Sequence, residues 1–252
     1  MPKITIITVC RNSADTLKDT LQSVGNQAYP DLEYLVIDGA SEDNTREIVE
    51  QFGAHVTQFI SEPDQGMYHA VNKGMALATG EVIGLLHADD FYADDQVLRR
   101  VGEAFENPDV DAIYGDLEYV DKQRTEHVVR YWKSGNYAPG KFLYGWMPPH
   151  PTFFIRTHLV DKYGPYRSDF RSAADYEFML RLIHRYRIHL KYIPEVLVKM
   201  RVGGKSNVTM DNRWRANQED RMAWKVNGMT PYFVTLYLKP LRKLGQWLKR
   251  RS

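Results

Sequence analysis

Two adjacent carboxylates, Asp89 and Asp90, close the apolar run Glu81-Val82-Ile83-Gly84-Leu85-Leu86. Two aspartates side by side are costly to bury unless something positive sits with them. A divalent cation is the simplest such partner, since hard oxygen ligands suit Mg²⁺ or Mn²⁺. A solvated loop ending in a helix cap accounts equally well for the dipeptide alone. The pattern recurs, however: Asp38 ends one apolar run and Asp64 follows another. Ligands of open α/β sheets bind outside the carboxyl ends of the strands, so three acidic turns in that position favour a site over solvated loops. A fourth cluster, Asp175-Tyr176-Glu177, opens an amphipathic segment. The free amides and dipole of a helix N-terminus favour an ionised carboxylate there. Ordinary first-turn acidity is the competing account, and function follows only if this end faces the other three.

Alternating strands and helices must position these groups. Ile4 to Cys10, Leu32 to Asp38, Val56 to Ser61 and the run before Asp89 read as buried strands. Between them lie helical spacings at Leu17, Leu21 and Val24, at Ile48, Val49 and Phe52, and from Met67 to Ala78, with Ser13 and Ser41 as candidate caps for the first two. This alternation predicts βαβ units. The expected fold class is α/β: a Rossmann-like, mostly parallel central sheet flanked by helices, with a C-terminal helical extension. After Phe91 the rhythm loosens into a helix near Asp94 to Phe105, strands at Asp111 to Val120, His127 to Trp132 and Thr152 to Ile155, and a helix from about Ala173 to Tyr186. This second half reads as an extension of the same sheet.

Composition narrows the class. The 33 basic and 32 acidic residues nearly cancel, so no nucleic-acid partner is expected, and one cysteine among 252 residues excludes an intramolecular disulfide framework. Cys10 lies inside the first strand and reads as a buried thiol. No basic, apolar leader and no bilayer-length apolar stretch occurs. A cytoplasmic protein is expected, associated with the cytoplasmic face of the inner membrane.

The ordered set Thr8-Val9-Cys10-Arg11-Asn12, Asp38-Gly39-Ala40-Ser41-Glu42-Asp43, Glu62-Pro63-Asp64-Gln65-Gly66, Asn72-Lys73-Gly74, Ala78-Thr79-Gly80-Glu81, His87-Ala88-Asp89-Asp90 and Ala174-Asp175-Tyr176-Glu177 resembles glycosyltransferase family 2, over residues 3 to about 205. The resemblance implies a GT-A fold in 1–210, with a nucleotide-binding half (1–92) and an acceptor half (93–210), followed by helices in 211–252. It implies inverting transfer of a sugar from a nucleotide diphosphosugar, with a uridine nucleotide as the default. Val9, Arg11 and Asp38 match the positions that hold the base, and Asp64, Asn72, Lys73 and Asp89 fall in donor-binding motifs. Asp90 matches the metal ligand, for Mn²⁺ or Mg²⁺, and Asp175 the general base. His150 and Glu177 are placed near the acceptor or diphosphate, and Arg201 and Lys205 in a loop that closes over the diphosphate. The chain departs from the pattern with Arg11 in place of a common Tyr, Val71 in place of an Arg that Lys73 replaces in charge, and no Gln-x-x-Arg-Trp motif. The last departure implies addition of a single sugar.

From Pro231 to Ser252 there are six basic residues and no acidic one. Phe233, Tyr237, Leu241, Leu244 and Leu248 fall on one side of a helical projection, with Lys239 and other cations largely opposite. Such a tail reads as an interfacial anchor, suited to a glycan or polyprenyl-lipid-linked acceptor at a membrane surface. Its alternative is a helix docked on the domain or on a second subunit of a homodimer. Two competing functions are a sugar-nucleotide pyrophosphorylase, which lacks its Gly-rich phosphate loop here, and a non-catalytic nucleotide-sugar-binding or scaffold protein.

Overall fold

The computed structural model describes residues 1–203 and 210–244, with side chains described to residue 203 and over 217–239. Its frame is one nine-stranded sheet. β1 (Ile4–Cys10), β2 (Leu32–Asp38), β3 (Gln58–Ser61) and β4 (Val82–Leu85) run parallel in the spatial order β3-β2-β1-β4. β1 shows how a strand covered on both faces reads as a largely apolar run, broken only by the buried hydroxyls of Thr5 and Thr8. Ile7 and Val9 enter one hydrophobic cluster, with Val71 and Met75, while Ile6 and Cys10 enter the other, with Leu21 and Val24. α1 (Leu17–Gly25), α2 (Thr45–Phe52) and α3 (Met67–Leu77) make the crossovers.

Beyond β4 the sheet is mixed. In chain order its strands are β5 (Asp90–Tyr92), β6 (Ala112–Val120), β7 (Val128–Trp132), β8 (Phe154–Arg156) and β9 (Leu190–Arg201), and α4 (Val97–Phe105) lies between β5 and β6. β8 is antiparallel to both β4 and β6, and β6 pairs with β9 in parallel. The expected parallel arrangement therefore holds for β1 to β4 and for β6 with β9. Because β8 reverses direction twice over, β6 and β9 still point the same way as β4. Gly84 permits the close approach of β8, since a Cβ there would stand 2.4 Å from the Phe154 ring.

Two strands went unforeseen, and so did the helix Thr157–Tyr163. β9 forms across Pro194, and β5 is a three-residue strand held antiparallel to the end of β9, with Asp90 opposite Met200. Asp90 therefore begins a strand instead of ending a loop. The two expected caps are also used differently. α1 starts at Leu17 after a turn on the Ser13 carbonyl, and Ser41 turns back to Asp38 while α2 starts only at Thr45.

α5 (Thr157–Tyr163) precedes α6 (Ala174–Met179), which continues as a π-helical segment, Leu180–Arg185. α7 (Met210–Val226) packs on this unit. Trp224 Nε1 donates to the Tyr176 hydroxyl at 2.9 Å and Asn227 Nδ2 to Glu177 at 2.9 Å. α8 (Thr235–Leu244) follows, but Lys239 does not face outward as its sequence position suggests. It is tied to Asp220 at 2.7 Å and stands 3.7 Å over the Tyr176 ring, two partners from distant elements that hold a cation inward. Among the described residues no helix is long and apolar enough to cross a membrane.

Candidate active site

The parallel register sets Cys10, Asp38 and Ser61 side by side at the carboxyl edge of the sheet. Two loops interlock above them. The Asn12 amide donates to Ser41 Oγ at 2.8 Å and the Glu42 amide to Asn12 Oδ1 at 2.9 Å, with Asn12 and Ala40 both at positive φ, 50° and 54°. Left-handed backbone at a non-glycine residue is strained and concentrates at ligand sites. Asp38 organises this corner. It accepts from the Ser41 amide and hydroxyl, from Ser61 Oγ at 2.7 Å and from the Cys10 thiol. The expectation that Asp38 reads a base directly meets a carboxylate whose acceptor sites are filled and which is 1% exposed, so its shown work is to hold the loop. Burial, reinforced by Asp38, pushes the Cys10 thiol far above its ordinary value, which keeps it unreactive. Val9 is buried beneath the corner, whereas Arg11 is exposed and lies along Gly39.

Next to this corner the turn His87-Ala88-Asp89-Asp90 leaves β4. The Leu86 amide donates to the Ile7 carbonyl and the Asp90 amide to the His87 carbonyl, both at 3.0 Å. Thr20 Oγ1 holds the Asp90 carbonyl at 2.8 Å and Arg201 Nη1 the Asp89 carbonyl at 2.8 Å. The paired carboxylates differ sharply. Asp90 has no exposed surface, and no well-formed hydrogen bond reaches either of its oxygens. Burial and then Asp89 push its carboxyl well above the usual range, against the pull of Arg201. Asp89 is half-buried. The metal role expected of Asp90 thus falls on a carboxyl sealed beneath the turn by β5 and β9, while its neighbour is the one open to a ligand.

His87, unforeseen as a site residue, joins the turn to the fourth cluster. Its imidazole feels both Asp89 and Asp175, and burial outweighs them to hold it below its ordinary pKa. The His87 ring lies 5.5 Å from that of His150, and His150 Nε2 is 2.8 Å from the Tyr166 hydroxyl. Burial pushes His150 down to about 4, with His87 adding to the shift and Asp175 opposing it. His150 is thus a buried histidine held against the Tyr166 hydroxyl.

Asp175, half-buried in the first turn of α6, therefore does face the paired-aspartate turn. Its backbone amide donates to the Tyr68 hydroxyl from the start of α3, and Tyr68, Tyr166 and Phe178 stack at 5.7 and 4.2 Å. The free amides before α6 are met from α7: Glu219 accepts from Arg171, Ser172 and Ala173 at 3.1, 2.7 and 2.8 Å. No local pattern could reveal a carboxylate that lies 44 positions beyond the aspartate it positions. Glu219→Ala is expected to cost about 1.5–3 kcal/mol by leaving those donors unpaired. It should lower kcat more than it raises the donor KM, as thermal melts and steady-state kinetics would read.

Several expected site residues do other work. Asn72 clamps the Tyr166 backbone with both ends of its amide, at 2.7 and 3.0 Å. Lys73 joins Glu62 and Asp64 at 2.7 and 2.8 Å, and Asp64 also meets His69, so this trio fastens the loop after β3. Glu177 is 1% exposed and paired with Arg181, which removes it from acceptor contact. Arg201 is 5% exposed, pinned by Asp19 and the Asp89 carbonyl over the Phe91 ring, and is a fixed clamp instead of a moving loop residue. Lys205 lies outside the described residues.

An α/β sheet of the GT-A type with acidic turns along one edge and a helix-borne carboxylate opposite them is the frame of a nucleotide-sugar enzyme. Residues 5–174 match the model of glycosyl transferase family 2, and the chain belongs to that family; it is a glycosyltransferase. It is 33% identical over 183 residues to an uncharacterized glycosyltransferase of Mycobacterium tuberculosis, covering 71% of this chain and 68% of that protein. It is 28% identical to a PGL/p-HBAD biosynthesis glycosyltransferase of Mycobacterium bovis, over 84% of this chain and 82% of the other. The mannosyltransferase PcManGT from Pyrobaculum calidifontis, solved with GDP-Man and Mn²⁺, shares the fold at a TM-score of 0.68 and 21% identity, covering 94% and 69% of the two chains. S. aureus TarS 1-349 with UDP-GlcNAc does so at 0.67 and 16%, over 89% and 65%.

Proposed function

We propose that this glycosyltransferase transfers one sugar, with inversion, from a nucleotide diphosphosugar to a hydroxyl of a glycan or polyprenyl-lipid-linked acceptor. It would act in cell-envelope polysaccharide synthesis at the cytoplasmic face of the inner membrane. The observation that carries the reading is the convergence of Asp89 and Asp175 on His87 from separate elements. The interlocked loops at Val9, Arg11 and Asp38 wall the base, and Lys73, paired with Glu62 and Asp64, fastens the neighbouring loop after β3. Asp89 would hold a hard cation such as Mg²⁺ or Mn²⁺ through its half-buried carboxylate. When bound, that ion supplies Lewis-acid neutralisation of the departing diphosphate.

Asp175 accepts the proton of the acceptor hydroxyl. The freed oxygen attacks the anomeric carbon from the face opposite the diphosphate, the carbon–oxygen bond to phosphate breaks, and its electron pair leaves with the nucleoside diphosphate. One displacement inverts the centre. Buried Asp90, Thr20 and Arg201 hold the turn that presents Asp89, and Glu219 with Tyr68 holds the start of α6. The UDP assignment is the default; bound GDP-Man and UDP-GlcNAc in the similar structures support a nucleotide-sugar donor generally.

A thermal-shift screen of nucleotide sugars with and without Mn²⁺ tests the proposal. Saturation at about a hundred times Kd adds about 2.7 kcal/mol, a rise of roughly 5–10 °C for a chain of this size. One donor class should give that rise only with the metal. No donor shifting the melt, in either condition, would refute the reading.

A further inference from the structure

Two features adjoin at the C-terminal helices, away from the site described above. The first is an exposed aromatic patch, with Phe233 87%, Tyr232 and Tyr237 each 52% and Tyr144 51% exposed. Tyr144 meets Tyr232 at 6.0 Å and Phe233 meets Tyr237 at 5.7 Å. Apolar groups gathered in water mark an interaction surface. α8 turns Thr235, Leu236 and Lys239 inward, so the side carrying Phe233 and Tyr237 is the one left outward.

The second feature is a cleft of about 910 Å³ whose walls include Tyr137, His184, Arg185, Arg187, Leu190 and Met229, and among the described residues no acidic one lines it. It opens where β9 begins, at the opposite end of that strand from Arg201 and the Asp89 turn. Arg187, just past the π-helical segment, holds a strained φ of 53°. Met229 and Gly140 line the cleft. Tyr232 and Tyr144 follow them by three and four residues, spans of at most about 11 and 14 Å.

We propose that this face docks on an anionic membrane surface, with the aromatic patch in the headgroup layer and the cationic cleft holding an acidic lipid headgroup. Tyrosine and phenylalanine offer apolar bodies, and tyrosine a polar tip, to the layer where such rings concentrate in membrane proteins. Charge agrees: residues 231–252 carry six basic and no acidic residues, and Lys239 alone among those described is committed inward. Cations near such a surface are each attracted to acidic lipids. The proposed docking rests, for its purpose, on the reading of a lipid-linked acceptor.

The test is co-sedimentation of the full chain with vesicles of phosphatidylcholine alone or mixed with phosphatidylglycerol. Wild type should bind the mixed vesicles and bind the neutral ones much more weakly. Phe233→Ser with Tyr237→Ser should abolish binding. Arg185→Glu with Arg187→Glu should weaken it about 25-fold or more, at roughly fivefold for each cation lost. Arg187→Gly removes the charge while keeping the left-handed turn, and should weaken binding about fivefold. All variants should keep the donor thermal shift of wild type. Equal binding to both vesicles, or to neither, overturns the proposal. So does a dimer that Phe233→Ser dissociates without change in vesicle binding, which would assign the patch to a second copy. Loss of the donor shift in wild type would fault the functional reading instead, and vesicle binding is read independently of it.

Discussion

Asp175→Asn is expected to abolish sugar transfer while leaving nucleotide binding intact. The substitution is nearly isosteric, so the amide contact from Asp175 to Tyr68 and the Glu219 brace before α6 survive. What disappears is the ability to accept a proton from the acceptor hydroxyl. General-base assistance contributes on the order of 10²–10⁴ in rate, and kcat should fall by that factor with the donor thermal shift unchanged. Among the described residues, Asp175 is the carboxylate that acts on both the His87 and the His150 imidazole, while Asp89 acts on His87 alone. Turnover within a few-fold of wild type would remove Asp175 from the base role.

Asp89→Asn carries the second large effect. Lewis-acid neutralisation of the leaving group is worth several kcal/mol, so transfer should fall on the order of 10²-fold or more, with the metal-dependent part of the donor thermal shift lost. The turn itself should persist, because its restraints from Thr20 and Arg201 reach the Asp89 and Asp90 backbone carbonyls and not the Asp89 carboxylate. A variant with wild-type metal dependence would contradict the assignment.

Much of the frame was legible because the physics is local. β1, β2 and β4 are buried on both faces and show as largely apolar runs, and β2 and β4 each end in an acidic turn. The family resemblance then located Asp175, whose approach to Asp89 no spacing could reveal. The misreadings share a different cause: long-range partners. Asp90 was taken for a loop residue because β5 exists only by pairing with β9, more than a hundred positions away. Arg201, expected in a loop closing over the diphosphate, and Lys239, expected on the outward polar face, are both held inward, one by Asp19 and the Asp89 carbonyl and the other by Asp220 and the Tyr176 ring. Asn72 looked like a donor contact, but both ends of its amide bond the Tyr166 backbone. Glu219 and His87 were missed for the converse reason, since their importance lies in what the fold sets beside them.

The central claim is that Asp89, and not the sealed Asp90, is the open carboxylate of the pair. The most direct measurement is Mn²⁺ binding, by electron paramagnetic resonance, in the presence of whichever nucleoside diphosphate stabilises the protein most. Wild type, Asp89→Asn and Asp90→Asn would be compared at matched concentrations. Retention of Mn²⁺ by wild type and Asp90→Asn, with its loss in Asp89→Asn, is the predicted result. Loss in Asp90→Asn with retention in Asp89→Asn would contradict it.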